Sequence, residues 1–448
     1  MSAGAALKED RSAADLKRGW CPGALRPMAS GDGLIARLRI LGGALTPKTA
    51  QAIADMAKTY GNGAIDLTAR ANLQIRGLSE HTLPPLQSAL DALGLIDAAQ
   101  EAEAVRNIVA APLAGYDPAA LLDIRPSVAA LDRRLRQDHA LWRLPGKFSF
   151  LIDDGGRLPV AEESADIGFV AERKGAGVVF AVRLAGRPTR FCAVEALADI
   201  AAALASAFLG LRGSGEDAAP RMAALVERGG VEPILSAAGL NYATDTPKAR
   251  NSPQPRILGE HDLGRYQALG VGAPFGRLDA AKLALLAAAG EAAHGELRLT
   301  PWRAVLIVGA AIDPGLARSL RRAGFVLDDD DPIRAVAACP GAPSCAKAST
   351  LTQRDARRLA PLARRLAPRG IALHVSGCLK GCAHGAAAAV TLIGRNGRYD
   401  LALNGRAGDE PALVDLPSDN LAAAIETLAD APDVERASAL RVLARKRS

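Results

Sequence analysis

Aromatic residues are scarce in this 448-residue chain, which contains three Trp, five Tyr and eight Phe. Proteins that bind single-stranded nucleic acid stack the bases on aromatic side chains. Because only 4% of the residues are aromatic, nucleic acid is not an expected partner. The charge balance is mildly basic, with 55 Lys and Arg against 48 Asp and Glu. This balance favours an anionic small molecule or an acidic protein as partner.

Long uncharged apolar runs are also lacking. The segment up to Trp20 carries seven charged residues and none of the apolar core that signal peptides have. The most apolar stretch, Ala193–Leu211, contains Glu195 and Asp199, and its uncharged part is too short to cross a bilayer. We therefore expect a cytoplasmic protein with no membrane partner.

Histidine and cysteine number six each, and no two histidines show a metal-ligand spacing. Four of the cysteines nevertheless form two close pairs, Cys339-x5-Cys345 and Cys378-x3-Cys382. Both pairs lie in Gly- and Pro-rich sequence that cannot continue a helix. Iron–sulfur clusters require thiolates, and small residues allow backbone N–H groups to turn toward the sulfides. The pattern predicts a 4Fe–4S cluster.

Other uses of these four cysteines remain open on spacing alone. Paired zinc ligands usually stand two to four residues apart, so a gap of five fits poorly. Disulfides fit poorly in a chain without an export signal, and inert core cysteines are the third alternative. Of the two remaining cysteines, Cys192 lies in an apolar run and is predicted to be core. Cys21, in Trp20-Cys-Pro-Gly, is a candidate for a site role.

An internal repeat organises the rest of the chain. Gly33–Ile40 alternates like a strand, a helix begins at Pro47 after the N-cap Thr46 and ends at Gly61, and a strand is predicted over Ala64–Arg76. The same order returns about 232 residues later, over Gly272–Leu278, Ala281–Ala289 and Gly295–Thr300. Five positions agree at that one offset: Gly63 with Gly295, Leu67 with Leu299, Thr68 with Thr300, Ile75 with Ile307 and Gly77 with Gly309. A period this long indicates a duplicated half rather than a solenoid.

The two copies differ on one face of the strand that follows the helix. In the first copy this face carries Thr68, Arg70, Asn72, Gln74 and Arg76. The corresponding face of the second copy carries Thr300, Trp302, Ala304, Leu306 and Val308. Exposure to water would explain a polar face. However, Arg, Asn and Gln suit multidentate recognition and disfavour strands, so we interpret the first face as a binding surface.

The motifs ACPGAPSC, HVSGCLKGCAHG and CPGALRPMASGDGL, together with Thr-x-Arg-x-x-x-Gln over 68–74, resemble the sulfite/nitrite reductase superfamily. Within it they are most similar to the precorrin-3B synthases, over a region from about Gly19 to the end. The resemblance implies an α+β, pseudo-twofold duplicated architecture with the cofactor between the halves. Each half would hold a small ferredoxin-like unit and a larger α/β unit. The predicted boundaries are a tail at 1–18, small unit 19–90, large unit 95–240, linker 241–260, small unit 261–330 and large unit 332–448.

The resemblance also implies which residues form the site. Catalytic roles fall to Arg70, Arg106 and Lys147, substrate binding to Thr68, Asn72, Gln74, Arg76 and Asn107, and cluster binding to Cys339, Cys345, Cys378 and Cys382. Considered alone, Arg106 and Lys147 would be surface ion-pair partners. The chain departs from the reductases at Ser149, where their Leu-Pro-x-Lys-Phe-Lys segment has its second lysine. The loss of one cation disfavours six-electron reduction of an oxyanion.

For the synthases, the resemblance implies an oxygen-dependent monooxygenase of aerobic cobalamin biosynthesis. It would convert precorrin-3A to precorrin-3B by meso-carbon hydroxylation and lactone formation. Besides the cluster, a mononuclear non-haem iron is implied, with ligands that the sequence does not identify. The partners would be precorrin-3A, O2 and an external donor, either a reductase or a ferredoxin-like carrier. NADH would supply the electrons indirectly, because no dinucleotide fingerprint leads into a helix. The alternatives are a sirohaem-dependent sulfite or nitrite reductase and a cluster-bearing electron carrier.

Overall fold

The structure, a computed structural model, describes residues 21–241, 247 and 255–445. The predicted tail at 1–18 and most of the predicted linker at 241–260 lie outside the described residues. Two compact units are present. The smaller unit holds Ser30–Asp32 and the described part of Asp330–Ser448, and the larger holds the described parts of Gly19–Ala29 and Gly33–Asp329.

Strands and helices alternate along the whole chain. The elements before the undescribed segment are β1 (Met28–Ser30), β2 (Gly33–Leu38), β3 (Ala44–Leu45), α1 (Pro47–Tyr60), β4 (Ala64–Leu67), β5 (Leu73–Leu78), α2 (Leu83–Asp91), α3 (Gln100–Val105), β6 (Ile108–Ala110), α4 (Arg125–Gln137), β7 (Phe150–Asp153), β8 (Ile167–Lys174), β9 (Gly177–Leu184), β10 (Arg187–Cys192), α5 (Leu197–Leu211), α6 (Met222–Gly229) and α7 (Glu232–Ala237). The elements after it are β11 (Gly259–Asp262), β12 (Gln267–Gly272), β13 (Arg277–Asp279), α8 (Ala280–Ala292), β14 (Glu296–Leu299), β15 (Ala304–Gly309), α9 (Leu316–Arg322), β16 (Val336–Ala338), α10 (Thr352–Leu366), β17 (Leu373–Ser376), β18 (Ala388–Arg395), β19 (Arg398–Gly405), β20 (Leu413–Leu416), α11 (Leu421–Asp430) and α12 (Arg436–Arg445).

The internal repeat is confirmed by two small sheets in the larger unit. Their strand orders are β1-β2-β5-β4-β13 and β11-β12-β15-β14-β3. Each sheet therefore takes its last strand from the other copy: Arg277 of β13 pairs with Asp66 of β4, and Ala44 of β3 pairs with Arg298 of β14. The exchange joins the two copies through backbone hydrogen bonds.

Equivalent capping residues begin the twin helices α1 and α8. Thr46 accepts a hydrogen bond from the backbone N–H of Thr49 at 3.1 Å, with Pro47 at the first helical position, as predicted. Asp279 caps α8 in the same way, accepting from the N–H of Lys282 at 2.8 Å. Such caps satisfy N–H groups that have no partner inside the helix. The buried faces of the two helices belong to one shared core cluster.

The two larger sheets are also copies of one topology. Their strand orders are β6-β7-β8-β9-β10 and β16-β17-β18-β19-β20, and in both the first three strands are parallel and the last two antiparallel. The strands of both sheets are largely apolar and buried, as expected where helices cover a sheet. The duplicated α+β architecture is therefore confirmed in both its small and its large units.

The continuous strand predicted over Ala64–Arg76 is wrong. The chain forms a hairpin there, and Thr68–Ala71 is its turn. The second-copy segment predicted over Gly272–Leu278 is likewise not one strand: Gly272 ends β12, Pro274–Gly276 forms a short 3-10 turn, and Arg277 and Leu278 lie in β13. Alternation of polar and apolar residues continued across the first hairpin, which is why the pattern alone did not reveal the turn.

One helical segment, Val194–Leu211, is long and apolar enough to cross a membrane by length and composition, with a mean hydropathy of 1.7. Its side chains Leu197, Leu204 and Phe208 are at most 1% exposed and lie in the core of the first large sheet. A core helix meets the same length and composition criterion, so this finding is weak evidence for a membrane span.

Candidate functional site

The four predicted cluster thiols lie in two loops at one edge of the second large sheet. Cys339 directly follows β16, and its N–H donates to the carbonyl of Val375 in β17. Cys378 and Cys382 follow β17. Because β16 and β17 are parallel neighbours, their carboxyl ends meet at the same edge and bring the two loops together.

The backbone of these loops donates a hydrogen bond to a cysteine sulfur and makes a tight turn at a glycine. The N–H of Gly377 points at the sulfur of Cys339, at 3.2 Å. Gly341 has φ +68°, and a Cβ there would stand 2.3 Å from the hydroxyl of Thr352, so no other residue fits without a shift. That hydroxyl donates to the carbonyl of Cys339 at 2.6 Å. The first loop is therefore closed against the start of α10.

The four thiols lie close enough together to influence one another electrostatically. Burial, opposed by Lys380 and reinforced by the charges of Cys339, Cys378 and Cys345, raises the pKa of Cys382 to about 11. The pKa of Cys378 is raised by burial and by Cys345 and Cys339. Four thiols that repel one another's charge need a cationic group among them before they can ionise together. The donor set therefore suits a cationic iron core.

Within the described part of the chain, no group of three or more His, Cys, Asp and Glu side chains is placed to hold a metal ion. For a mononuclear non-haem iron this leaves the ligands unidentified, as the sequence did. A 4Fe–4S cluster bonds each thiolate to a different iron and so accommodates a wider spacing.

The equivalent loops of the first large sheet carry carboxylates instead of thiols. Ala111 follows β6 as Cys339 follows β16, and its N–H likewise donates to the third residue of the neighbouring strand, Ile152. Asp117 stands where the second copy has Cys345, and Asp153-Asp154 stands where it has Ser376-Gly377. The cluster motif is thus confined to one of two copies of the same loop pair.

Arg70 lies in the hairpin turn between β4 and β5. The hydroxyl of Thr68 accepts the backbone N–H groups of Arg70 at 3.3 Å and Asn72 at 3.2 Å, and Ala71 takes a left-handed φ of +51°. The twin turn has the same design: Thr300 accepts from Ala304 at 3.2 Å, and Arg303 has φ +58°. Thr68 therefore sets the direction in which Arg70 leaves the turn.

The segment around Lys147 is brought to Arg70. One guanidinium nitrogen of Arg70 donates to the carbonyl of Lys147 at 2.8 Å. Asn107, fully buried, holds the same segment from the other side by donating to the carbonyls of Gly146 at 3.3 Å and Phe148 at 3.0 Å. The Lys147 side chain is exposed. The structure thus gathers Arg70, Lys147 and their two supports in one place.

Three other predicted site residues are engaged in structural contacts. Arg106 is 8% exposed and binds Asp97 and Asp132, each at 2.6 Å. Arg76 is 3% exposed and binds Asp66 at 3.0 Å, which Arg277 of the other copy also binds. Asn72, 4% exposed, accepts the N–H of Ile40 at 2.9 Å. Gln74 is half-buried in β5.

Sequence reasoning missed two arginines that face the same space as Arg70. Arg37, near the end of β2, and Arg39, which follows the strand, are two positions apart and so share a face. Both act electrostatically on Cys21, and both interact with Arg70. Burial, followed by the charge of Arg37, lowers the pKa of Arg39 to about 9. The signal was an Arg-x-Arg pair in an otherwise apolar strand.

Comparison with known protein families agrees with this fold and site. The family model of the nitrite/sulfite reductase ferredoxin-like half domain matches residues 26–93 and 260–313, the two small sheets. The model of the nitrite and sulphite reductase 4Fe-4S domain matches residues 101–245, the copy that carries Asp117 in place of Cys345. The fold and the thiol loops thus define a protein of the nitrite and sulfite reductase class.

Similarity to individual proteins identifies the family within this class. The chain is 34% identical to a precorrin-3B synthase of Sinorhizobium sp. over 89% of this chain and 85% of that protein. It is 28% identical to a ferredoxin–nitrite reductase of Synechococcus elongatus over 84% of this chain and 78% of that protein. The solved structure of Mycobacterium tuberculosis NirA has the same fold, with a TM-score of 0.72 at 21% identity over 92% of this chain and 83% of that one. The chain belongs to the precorrin-3B synthase family of the sulfite/nitrite reductase superfamily.

Proposed function

We propose that the chain is an oxygen-dependent monooxygenase that converts precorrin-3A to precorrin-3B. One oxygen atom of O2 enters a meso carbon as hydroxyl, a ring acetate closes a lactone, and the other oxygen atom leaves as water. The balance requires two electrons and two protons from an external donor. The observation that carries this proposal is the likeness to the Sinorhizobium synthase, which exceeds the likeness to the nitrite reductases in both identity and coverage.

The four thiols of Cys339, Cys345, Cys378 and Cys382 would hold a 4Fe–4S cluster. When bound, such a cluster transfers electrons one at a time, which suits a donor and an acceptor that differ in electron number. The chain itself provides a hydrogen bond to one of the sulfur atoms around the cluster. The N–H of Gly377 donates to the sulfur of Cys339 and stabilises its thiolate charge, as hydrogen bonds to cluster sulfurs do.

Arg70 and Lys147 would bind carboxylates of the substrate. A precorrin bears many acetate and propionate groups, and guanidinium groups bind carboxylates through two parallel charge-assisted hydrogen bonds. Arg70 is aimed by Thr68 and anchored to the carbonyl of Lys147. An anchored arginine loses less conformational freedom when it binds, which favours one orientation of the substrate.

Ser149 supports the synthase over the reductase activity. The resemblance places this residue where the reductases have a second lysine. Here it is 1% exposed, and its hydroxyl lies 3.4 Å from the guanidinium of Arg221, which binds Asp166 at 2.8 Å. A neutral hydroxyl held in this network cannot serve as the missing cation, so the oxyanion cage of a reductase would lack one charge.

The decisive experiment uses the full-length protein purified without air. Iron and acid-labile sulfide are counted, the visible spectrum is recorded, and precorrin-3A is supplied with 18O2 and a chemical or enzymatic electron donor. We expect about four iron and four sulfide per chain, a broad iron–sulfur absorption, and a product containing one 18O atom. Omission of O2 should abolish product formation.

The alternative is a sirohaem-dependent nitrite or sulfite reductase. The 28% identity to a nitrite reductase supports this alternative. Sharp sirohaem bands together with turnover of nitrite or sulfite would establish it and overturn the synthase proposal. Zinc or no metal in the anaerobically isolated protein would contradict both activities, because both need electrons delivered through the thiol loops.

A further inference from the structure

Cys21 is held in a fixed position although it lies outside regular secondary structure. The carboxylate of Glu103 accepts the N–H groups of Ala24 at 2.6 Å and Leu25 at 3.1 Å. Gln87 donates to the carbonyl of Ala24 at 2.9 Å. A Cβ at Gly23 would stand 2.3 Å from that carboxylate, so the glycine allows the close approach. The segment that carries the thiol is therefore pinned to the body of the larger unit.

Cationic groups surround this thiol. Arg37 and Arg39 face it from β2 and the residues that follow, and Arg70 faces it from the hairpin turn; Arg37 and Arg70 lie within hydrogen-bonding reach. Behind them, Glu103 acts on Arg39, and Arg221 acts on Arg70. Among the described residues named here, the three arginines outnumber the one buried carboxylate, Glu103, which is already hydrogen-bonded to the Cys21 segment.

The arginines also keep unused donors. Nη1 of Arg39 and Nε of Arg37 are buried and have no hydrogen-bond partner among the described residues. Arg39 itself is 5% exposed, and its Nε reaches only the main-chain carbonyl of Glu103, at 3.3 Å. A buried cationic N–H without an acceptor is costly, so these donors indicate that an anion belongs beside them. Cys21 interacts electrostatically with both arginines and is the acidic side chain to which we assign that charge.

We propose that Cys21 is a thiolate in this arginine cluster and a site of oxidation by hydrogen peroxide. The sulfur attacks one peroxide oxygen, an S–O bond forms as the O–O bond breaks, and hydroxide leaves to become water after protonation. The sulfur loses two electrons and the peroxide gains them, giving a sulfenic acid. The new oxygen can accept hydrogen bonds from the free N–H groups of Arg37 and Arg39.

The reactivity follows from the charges. Burial alone raises the pKa of the Cys21 thiol, but the charges of Arg37, Arg70 and Arg39 together outweigh it, and the pKa falls below the usual value. Cys192 is the opposite case, since burial raises its pKa to about 12. Cys21 is half-buried rather than sealed, so small reagents have access to it. Oxidisable cysteines combine a low pKa with such access.

Oxidation would have a consequence for the cationic site. A sulfenate among Arg37, Arg39 and Arg70 carries its charge on an oxygen that occupies their donors. A substrate carboxylate would then have fewer donors to bind. The modification thus provides a means of weakening anion binding at Arg70, a consequence that rests on the proposed function, whereas the reactivity of the thiol does not.

The test uses the complete protein with its metal content intact, without air. Iodoacetamide labelling is followed by peptide mass spectrometry between pH 6 and pH 9, and dimedone traps sulfenic acid after a small dose of peroxide. At pH 7 we expect Cys21 to be labelled at least about tenfold faster than Cys192, since a unit of pKa changes the thiolate fraction about tenfold. Dimedone should mark Cys21 before it marks Cys192.

Arg37→Gln provides the matched variant, because Arg37 is half-buried and its loss leaves the Glu103 contacts in place. Its Cys21 labelling at pH 7 should slow several-fold and recover at pH 9, while visible absorbance reports that the fold and metal content are unchanged. If Cys21 labelling rises with pH as for an ordinary thiol, or is the same in Arg37→Gln, the thiolate assignment is wrong. Absence of a dimedone adduct at Cys21 would refute the oxidation site.

Discussion

Asp117 and Cys345 occupy the same position in two copies of one loop. Each lies seven residues after a buried edge strand, β6 or β16. The backbone N–H of Asp117 donates to the carbonyl of Leu113 at 3.1 Å, and that of Cys345 donates to the carbonyl of Gly341 at 2.8 Å. The backbone is therefore conserved between the copies, and the side chains differ.

In the first copy, carboxylates accept hydrogen bonds from the backbone N–H groups of the loops. The proposed cluster would be the acceptor in the second copy. Asp117 accepts the N–H groups of Ala119 and Arg157, and Asp153 accepts those of Gly155, Val160 and Ala161. A loop whose N–H groups point inward needs an anionic acceptor. In one copy carboxylates are the acceptors, and in the other we propose the acceptor to be the sulfide and thiolate of an iron–sulfur cluster.

Asp154 in the first copy predicts a pH-dependent stability. Burial, with Asp153 and Asp117, raises the pKa of its carboxyl to about 7. A pKa above the unfolded value means that the folded state binds the proton more tightly, so stability is greatest at low pH and declines as the pH rises through 7. Asp154→Asn keeps the acceptor oxygen and removes this dependence. Relative to the wild type, the unfolding free energy of the variant should rise by about 2–3 kcal/mol between pH 5 and pH 8, since each pH unit between the unfolded and folded pKa changes it by about 1.4 kcal/mol.

The measurement is urea unfolding of both proteins at several pH values. Asp91→Asn, on the exposed end of α2, is the control and should follow the wild type. A difference between wild type and Asp154→Asn that stays constant from pH 5 to pH 8 would show that the carboxyl titrates normally.

The thiol assignment predicts that Cys378→Ala loses iron and labile sulfide. The residue lies in the second cysteine pair, and the charges of Cys345 and Cys339 help to raise the pKa of its thiol. Cys192→Ala is the matched control, since that cysteine is buried in β10 among apolar side chains. Anaerobic iron and sulfide counts should fall strongly in the first variant and stay at the wild-type level in the second. Wild-type metal content in Cys378→Ala would remove this residue from the ligand set.

The sequence identified the duplication and the cysteine loops, because both are written in local signals: caps such as Thr46, glycines at sharp turns, and paired thiols. It did not reveal the hairpin at Thr68, whose turn residue Ala71 is not one that favours a left-handed φ. The exchange of β3 and β13 between the copies was also missed, since two- or three-residue strands carry almost no periodic signal.

The same limit affected the site. Arg106 and Arg76 belong to a sequence resemblance, but their carboxylate partners come from distant positions that only the fold brings together. Arg37 and Arg39 were missed because their proximity to Cys21 and Arg70 arises from the fold. Which arginine is paired and which is free depends on tertiary contacts, and a motif does not record them.

Arg106→Ala should therefore destabilise the fold. Removal of the guanidinium leaves the carboxylates of Asp97 and Asp132 in a buried site, where among the described residues the partly exposed Arg136 is the cation that still pairs with them. Breaking a buried ion pair from one side typically costs about 3–5 kcal/mol. Thermal unfolding of the variant, compared with Arg173→Ala on the exposed end of β8, should show the loss. Unchanged stability with lost activity would instead support the predicted catalytic role of Arg106.

Arg70→Ala should keep its thermal stability and lose activity, the reverse of the result expected for Arg106→Ala. Arg70 donates a hydrogen bond to the carbonyl of Lys147 and has no carboxylate partner among the described residues, so its removal leaves no buried carboxylate unpaired. We expect near wild-type thermal stability and cluster absorbance, with turnover or substrate affinity reduced at least about tenfold, as expected when a charge-assisted contact worth 1.5–3 kcal/mol is lost. Arg70→Lys should recover only part of this loss, because an ammonium lacks the planar pair of donors. Full activity in Arg70→Ala would show that substrate carboxylates bind elsewhere.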